Sequence, residues 1–137
     1  PAHDGDHDTR LIAAMKKRSA WNSLERAKSF ENKIREMVDA NFRDASFKLR
    51  TVAGVLDLKE SYIQTLLIKE RLPSFRSILQ EKRTAAMGAE VVQTLKPFFQ
   101  IAAECGYASL STAEEAFKAH FGCTPVQYRA QNKKDGE

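Results

Sequence analysis

Long apolar runs are missing from this chain, and none approaches the roughly 20 residues needed to cross a bilayer. The start also lacks the charged-then-apolar segment of a secretion signal, so a cytoplasmic location with no membrane partner is expected. Cysteine is nearly absent. Cys105 and Cys123 show no metal-ligand spacing and sit inside amphipathic segments, where a cysteine behaves as a small buried hydrophobe, so reduced structural thiols are expected. A catalytic constellation is missing as well. His120 and Cys123 stand three positions apart, but the helix is expected to end between them at Gly122 and no third residue is evident to orient them. An enzyme is therefore not expected, nor any catalytic residue or cofactor. The opening residues PAHDGDHDTR carry His3, Asp4, Asp6, His7 and Asp8 without periodicity. They read as a solvated lead-in and not as metal ligands, because a metal site needs preorganised ligands and a second shell.

What is present fits an ordinary globular chain. With 42% hydrophobic and 29% charged residues over 137 positions, there is room for one domain, or for two very small ones sharing a helix. A sequence pI near 9.2 reflects 22 basic against 18 acidic side chains, an excess that permits nucleic-acid binding without requiring it. The excess is local. Residues 29–83 hold eleven basic and eight acidic side chains, and residues 84–137 hold five and six, so a phosphate-facing surface is expected in the central third.

The most informative stretch is Ile101 to Arg129, IAAECGYASLSTAEEAFKAHFGCTPVQYR. Ile101 and Ala102 lead to Gly106 at the spacing a helix-turn-helix uses, with a small residue at the helix crossing and a residue tolerant of positive φ in the turn. Tyr107 then re-enters the core. Phe117 and Phe121 lie four apart on one helical face, Gly122 suits a C′ position, and Thr124 and Pro125 form the cap and first position of another helix.

Residues 46–83 repeat that logic in different letters. Val52, Ala53, Leu56, Leu58, Ile63 and Leu66 take the buried positions of a helix-turn-helix, with Asp57 in the turn where glycine is commonest. Aspartate can visit the left-handed region, so the exchange is tolerable. The second helix is predicted from about Glu60 to Arg71, with Ile63, Leu66 and Leu67 inward and Lys59, Ser61, Gln64, Thr65 and Ile68 outward. Gln64 and Thr65 can meet base edges in a major groove, and Lys59 and Lys69 can reach phosphates. Residues 75–94 contain no proline, and Gly88 is their only glycine, so they are predicted to form a connecting helix through Ile78, Leu79, Met87, Val91 and Val92. An internal repeat follows, in which Val52-Ala53 answers Ile101-Ala102 and Leu66-Leu67 answers Ala116-Phe117, the second copy having one extra residue in its turn. Upstream, Leu11, Ile12 and Met15, and then Phe30, Ile34, Val38 and Phe42, keep helical spacing, interrupted by the basic cluster Lys16-Lys17-Arg18.

Two such units and the closing run CGYASLSTAEEAFKAHFGCTPVQYR resemble the DNA-binding region of the AraC/XylS family of bacterial transcription regulators. The resemblance covers roughly residues 30–131, and its specific part is GY followed by AFKxHFGxTPxxYR. It implies an all-α fold of two helix-turn-helix subdomains joined by a connecting helix and preceded by an N-terminal helical segment. The expected boundaries are 1–29 for the flexible lead-in and N-terminal segment, 30–83 for the first subdomain, 84–97 for the connecting helix (beginning as early as 75), and 98–137 for the second subdomain with a short polar tail. It implies that the second helix of each unit lies in the major groove. Ser61, Gln64 and Thr65 then face bases in the first unit, and Leu110, Ser111, Glu114 and Glu115 in the second, with Lys118 also in the contact set. Phe117, Phe121, Pro125, Tyr128 and Arg129 match packing residues.

The chain departs from the family where an aromatic pair and Ser-Arg usually stand and Thr112-Ala113-Glu114-Glu115 is found instead. A carboxylate can accept from cytosine N4, yet adjacent carboxylates oppose the field that holds phosphates. Ala113 also replaces a bulky core residue. In the first unit Leu72 stands where the family usually has glycine, so the helix exit is expected to differ. The expected function is sequence-specific binding of promoter DNA, read mainly by the first unit. The alternative is a co-regulator or anti-activator working through protein contacts, with a decayed DNA surface. The resemblance leaves RNA polymerase, a second copy of the chain and a missing effector domain open as partners.

Overall fold

The computed structural model describes residues 22–133. The acidic and histidine-containing lead-in, the Leu11 stripe, the Lys16-Lys17-Arg18 cluster, Trp21 and the last four residues lie outside them. Among the described residues there are seven helices and no strand: α1 Ser23–Asn41, α2 Leu49–Leu56, α3 Glu60–Lys69, α4 Phe75–Gln93, α5 Phe98–Glu104, α6 Leu110–Phe121 and α7 Pro125–Lys133. They form two compact units. The first takes residues 22–36 and Lys48–Phe75, and the second takes Met37–Phe47 and residues 76–133.

In the first unit the apolar residues recur at helical spacing on each element. Ala27, Phe30 and Ile34 are buried on α1, Leu49, Val52, Ala53 and Leu56 on α2, and Ile63, Leu66 and Leu67 on α3. Burying each large aliphatic or aromatic side chain stabilises the fold by about 1.5–3 kcal/mol. Two polar links tie α1 to α3: Ser23 Oγ donates to Glu70, and Arg26 donates to the Tyr62 hydroxyl at 3.2 Å. The Tyr62 ring meets Phe30 edge-on at 5.8 Å.

The second unit is built on Met87, Val91, Ile101, Ala102, Cys105, Tyr107, Ala113, Ala116 and Phe117. Ala113 is fully buried in this core, which also holds an aromatic group. Phe117 lies 4.5 Å from Phe121 and 5.3 Å from Tyr128, and Phe121 lies 4.5 Å from Tyr128. Gly88 on α4 makes room for that group, since a Cβ there would stand 2.6 Å from Phe121 Cζ.

Three arginines hold loop carbonyls in this unit. Arg43 donates to Glu104 O at 3.0 Å, Arg83 to Phe42 O and Asp44 O at 2.8 Å each, and Arg129 to Val91 O, Thr94 O and Lys96 O at 2.9, 3.2 and 3.2 Å. Each guanidinium thus ties down carbonyls at or just beyond a helix end. Arg129, expected as a packing residue, also stacks 4.4 Å from the Phe98 ring centroid.

Candidate nucleic-acid interface

The two turns are built alike. At the end of α2, Asp57 adopts φ 54, Leu58 N donates to Ala53 O at 3.0 Å and Asp57 N to Gly54 O at 3.3 Å. At the end of α5, Gly106 adopts φ 93, Tyr107 N donates to Ala102 O at 3.0 Å and Gly106 N to Ala103 O at 3.1 Å. Both are left-handed helix stops that pair two orphan carbonyls. Asp57 therefore does the work of a turn glycine. The second turn carries one residue more: Lys59 occupies the N-cap of α3 directly after Leu58, whereas Ala108 separates Tyr107 from the N-cap Ser109 of α6.

The caps differ. Ser109 Oγ accepts from Thr112 N at 3.2 Å, whereas Lys59 supplies no side-chain cap. A lysine thus stands at the start of α3, where the helix dipole favours negative charge. The exits differ as well. Gly122 closes α6 at φ 77 with its N–H on Lys118 O at 2.8 Å, while α3 is closed by Arg71 at φ 59, one position before Leu72. Leu72 N then donates back to Leu67 O at 2.9 Å. With no glycine available, the left-handed position falls on an arginine. Beyond Gly122, Thr124 and Gln127 form a reciprocal capping box at 3.0 and 3.2 Å, with Pro125 at the first helical position.

On α3, Ser61, Gln64, Thr65 and Ile68 are all exposed and fall at i, i+3, i+4 and i+7, so they share one face opposite the buried Ile63, Leu66 and Leu67. Ile68 is 74% exposed, unusual for a large aliphatic group. Lys59 and Lys69 are exposed at either end of this helix. On α6 the equivalent face carries Ser111, Glu114, Glu115 and Lys118, all exposed. Leu110, expected among the base-facing residues, is half-buried against the core of its unit. Gln64 and Glu114 occupy matching places, each one position after a fully buried residue, Ile63 or Ala113, that faces the unit's core.

His120 lies on α6 with its ring edge-on to Phe121 at 4.5 Å, and the chain turns at Gly122 before the half-buried Cys123. Cys105 is fully buried, and burial pushes its thiol above the usual range. No helix among the described residues is long and apolar enough to cross a membrane, and no group of three potential metal ligands occurs among them.

Two helix-turn-helix units in one all-α chain, each presenting the outer face of its second helix, define the class of double helix-turn-helix domains. A helix-turn-helix domain family matches residues 52–131, and the chain belongs to it as a member of the AraC/XylS type. It is similar to the porin thermoregulatory protein EnvY of Escherichia coli (strain K12), with 33% identity over 88 residues, covering 64% of this chain and 34% of that protein. The chain thus spans about a third of that relative's length. Among solved structures it is similar to the C-terminal domain of the two-component response regulator yesN from Fusobacterium nucleatum, at TM-score 0.66 and 24% identity over 72% of this chain and 96% of that one. It is also similar to a transcriptional regulator from Chromobacterium violaceum described as having an AraC-type DNA-binding domain, at TM-score 0.65 and 20% identity over 77% and 93%. These likenesses show the fold. Family and fold are those of DNA-binding transcription regulators and not of enzymes.

The sequence pattern placed Ser61, Gln64, Thr65 and Ile68 on the outer face of α3, where they lie, but passed over Arg76 and Arg83. Both lie on α4 outside the turn motifs, and seven residues apart they share one helix face, a spacing that could have drawn attention to them.

Proposed function

We propose that this chain reads duplex DNA sequence-specifically as a bacterial transcription regulator, with the major groove read mainly by α3. The observation that carries this reading is the face Ser61, Gln64, Thr65 and Ile68, exposed as a single stripe and flanked by Lys59 and Lys69. Each member has a matching chemistry on DNA. A glutamine amide pairs bidentately with adenine N6 and N7, hydroxyls serve either base, and an exposed aliphatic group packs on a thymine methyl. The lysines at the helix ends supply phosphate contacts that hold register.

The α6 face contributes differently. Glu114 and Glu115 can accept from cytosine N4, but they leave Lys118 as the one cation on that face, so this helix adds little phosphate attraction of its own. Promoter DNA is the partner on this reading, and RNA polymerase, a second copy and an effector domain belong to the same proposal as the contacts of a full regulator. Anisotropy titrations of the chain against genomic fragments at moderate salt test it. Specific sites bind on the order of 10³-fold or more above bulk DNA if the reading holds, and a uniform affinity across fragments overturns it.

The exposed pair Glu114 and Glu115 favours a second reading, a co-regulator that works through protein contacts. Reversing both charges separates the two. Glu114→Lys with Glu115→Lys strengthens DNA binding under the first reading and disrupts a partner complex under the second.

A further inference from the structure

A cavity of about 240 Å³ opens in the second unit, beside the turn between α5 and α6. Arg76, Leu79, Gln80 and Arg83 line one side of it, at i, i+3, i+4 and i+7 along α4, and Tyr107 and Thr112 lie on its other walls. No carboxylate lines it. Arg76 is exposed and makes no ion pair or hydrogen bond among the described residues. Arg83 is half-buried and spends its donors on the carbonyls of Phe42 and Asp44, with no acidic side chain in ion-pair contact. The carboxylate of Asp44 is itself held by Ser46, at 2.9 Å to the backbone N–H and 2.7 Å to the hydroxyl. Two arginines thus face one small cavity whose walls carry no carboxylate, the Asp44 carboxylate acting on Arg83 from outside them. Two guanidiniums on one wall and no carboxylate on the others make the cavity electropositive, which favours an anion.

The remaining wall suits an oxyanion as well. Thr112 lies in the first turn of α6 and accepts at Oγ1 from Ser109 Oγ at 3.0 Å, which leaves its own hydroxyl proton free to donate. Gln80 adds an amide. The cavity adjoins the start of a twelve-residue helix, where the backbone dipole favours negative charge. The guanidinium fork is the side chain best matched to a phosphate or carboxylate.

We propose that this cavity is an oxyanion site in which Arg76 is the principal ligand and Arg83, Gln80 and Thr112 complete the cradle. Its occupant is a single phosphate-like group, either a backbone phosphate of bound DNA or a free small oxyanion. As a backbone-phosphate site it rests on the DNA-binding reading and deepens it, because it supplies from α4 the positive charge that the acidic face of α6 lacks. The second helix-turn-helix is then anchored by its supporting helix and not by its probe helix.

Two arms test the site and its occupant on the whole chain. Arg83 also holds the Phe42 and Asp44 carbonyls, so the variant of choice is Arg76→Ala, with Lys82→Ala as the control that removes an equal charge from a residue outside the cavity. In the first arm, Arg76→Ala weakens every duplex by the same several-fold factor and lowers the salt slope by about one, and Lys82→Ala leaves the slope as it was, if a backbone phosphate is the occupant. In the second arm, sodium phosphate raises the wild-type melting temperature above that in sodium chloride of equal ionic strength, and Arg76→Ala loses that difference, if a free oxyanion is the occupant. The proposal is overturned if Arg76→Ala matches wild type in both arms, or if Lys82→Ala reproduces its effects. A wild-type chain that binds no duplex sinks the DNA reading alone, because the phosphate arm still decides the site.

Discussion

Gly106 lies directly under the carbonyl oxygen of Phe42, in a place where any Cβ would collide with that oxygen and crowd Arg83 Nε at 2.7 Å. The same oxygen accepts from Arg83 Nε at 2.8 Å, so the turn of the second helix-turn-helix, the segment after α1 and the middle of α4 meet at one point. Asp57 closes the equivalent turn of the first unit with a side chain present, which shows that the left-handed conformation alone does not demand glycine. The close backbone approach at position 106 does.

This contrast sets the first prediction. Gly106→Ala costs at least about 2 kcal/mol, since left-handed strain of about 1 kcal/mol and a backbone collision act together. Gly54→Ala, inside α2 with nothing within 4 Å of the added methyl, stabilises the chain by about 0.5–1 kcal/mol. Urea unfolding of both variants checks the pair, and similar values for the two would refute the argument.

Arg129 supplies the second. Its guanidinium serves three carbonyls, one in the last turn of α4 and two beyond it, and stacks on Phe98, a fork that an ammonium cannot copy. Arg129→Ala is expected to lower stability by about 2–4 kcal/mol, with Arg129→Lys recovering less than half of the loss. Thermal unfolding followed by circular dichroism reads both, and full recovery by lysine would show that charge alone matters.

Tyr107 gives a pH dependence. Burial pushes its phenol up to about 12, and its hydroxyl has no hydrogen-bond partner among the described residues. The folded chain keeps the phenolic proton where an unfolded tyrosine, with a pKa of about 10, releases it. The neutral phenol's contribution is therefore complete below about pH 10 and is lost as the pH rises toward about 12. Tyr107→Phe removes an unsatisfied buried donor, so it should raise stability at pH 8 by about 1 kcal/mol and flatten the alkaline decline. Urea midpoints at pH 8 and pH 11 measure both effects, and a destabilised phenylalanine variant would point to a hydrogen bond absent from this structure.

Much of the fold was legible in the sequence because helical spacing and turn chemistry are local. Ile63, Leu66 and Leu67 announce the inner face of α3 by their spacing, Asp57 takes the left-handed turn expected of it, and the extra residue of the second turn is Ala108. The closing of α3 at Arg71 was not legible, since the stop is imposed by Leu72 returning its N–H to Leu67 and by Pro73 beyond, and arginine carries no left-handed signal of its own. The carbonyl-holding roles of Arg43 and Arg83 depend on partners 61 and 39 or more residues away, separations at which spacing says nothing. The exposed outer faces of α3 and α6 were legible for the same local reason as the fold. The cavity beside Arg76 was not, because its walls come from α4, the segment before α2 and the turn after α5.

The central claim is that α3 reads bases, and one comparison tests it most directly. Binding of wild type, Gln64→Ala and Lys69→Ala is measured against a preferred duplex and a set of single-base-pair variants of it, across a salt series. Under this account Gln64→Ala loses about 1–3 kcal/mol on the preferred duplex and becomes indifferent to one base pair, while Lys69→Ala weakens all duplexes alike and lowers the salt slope by about one. An equal loss on every duplex from Gln64→Ala would contradict base reading by this helix.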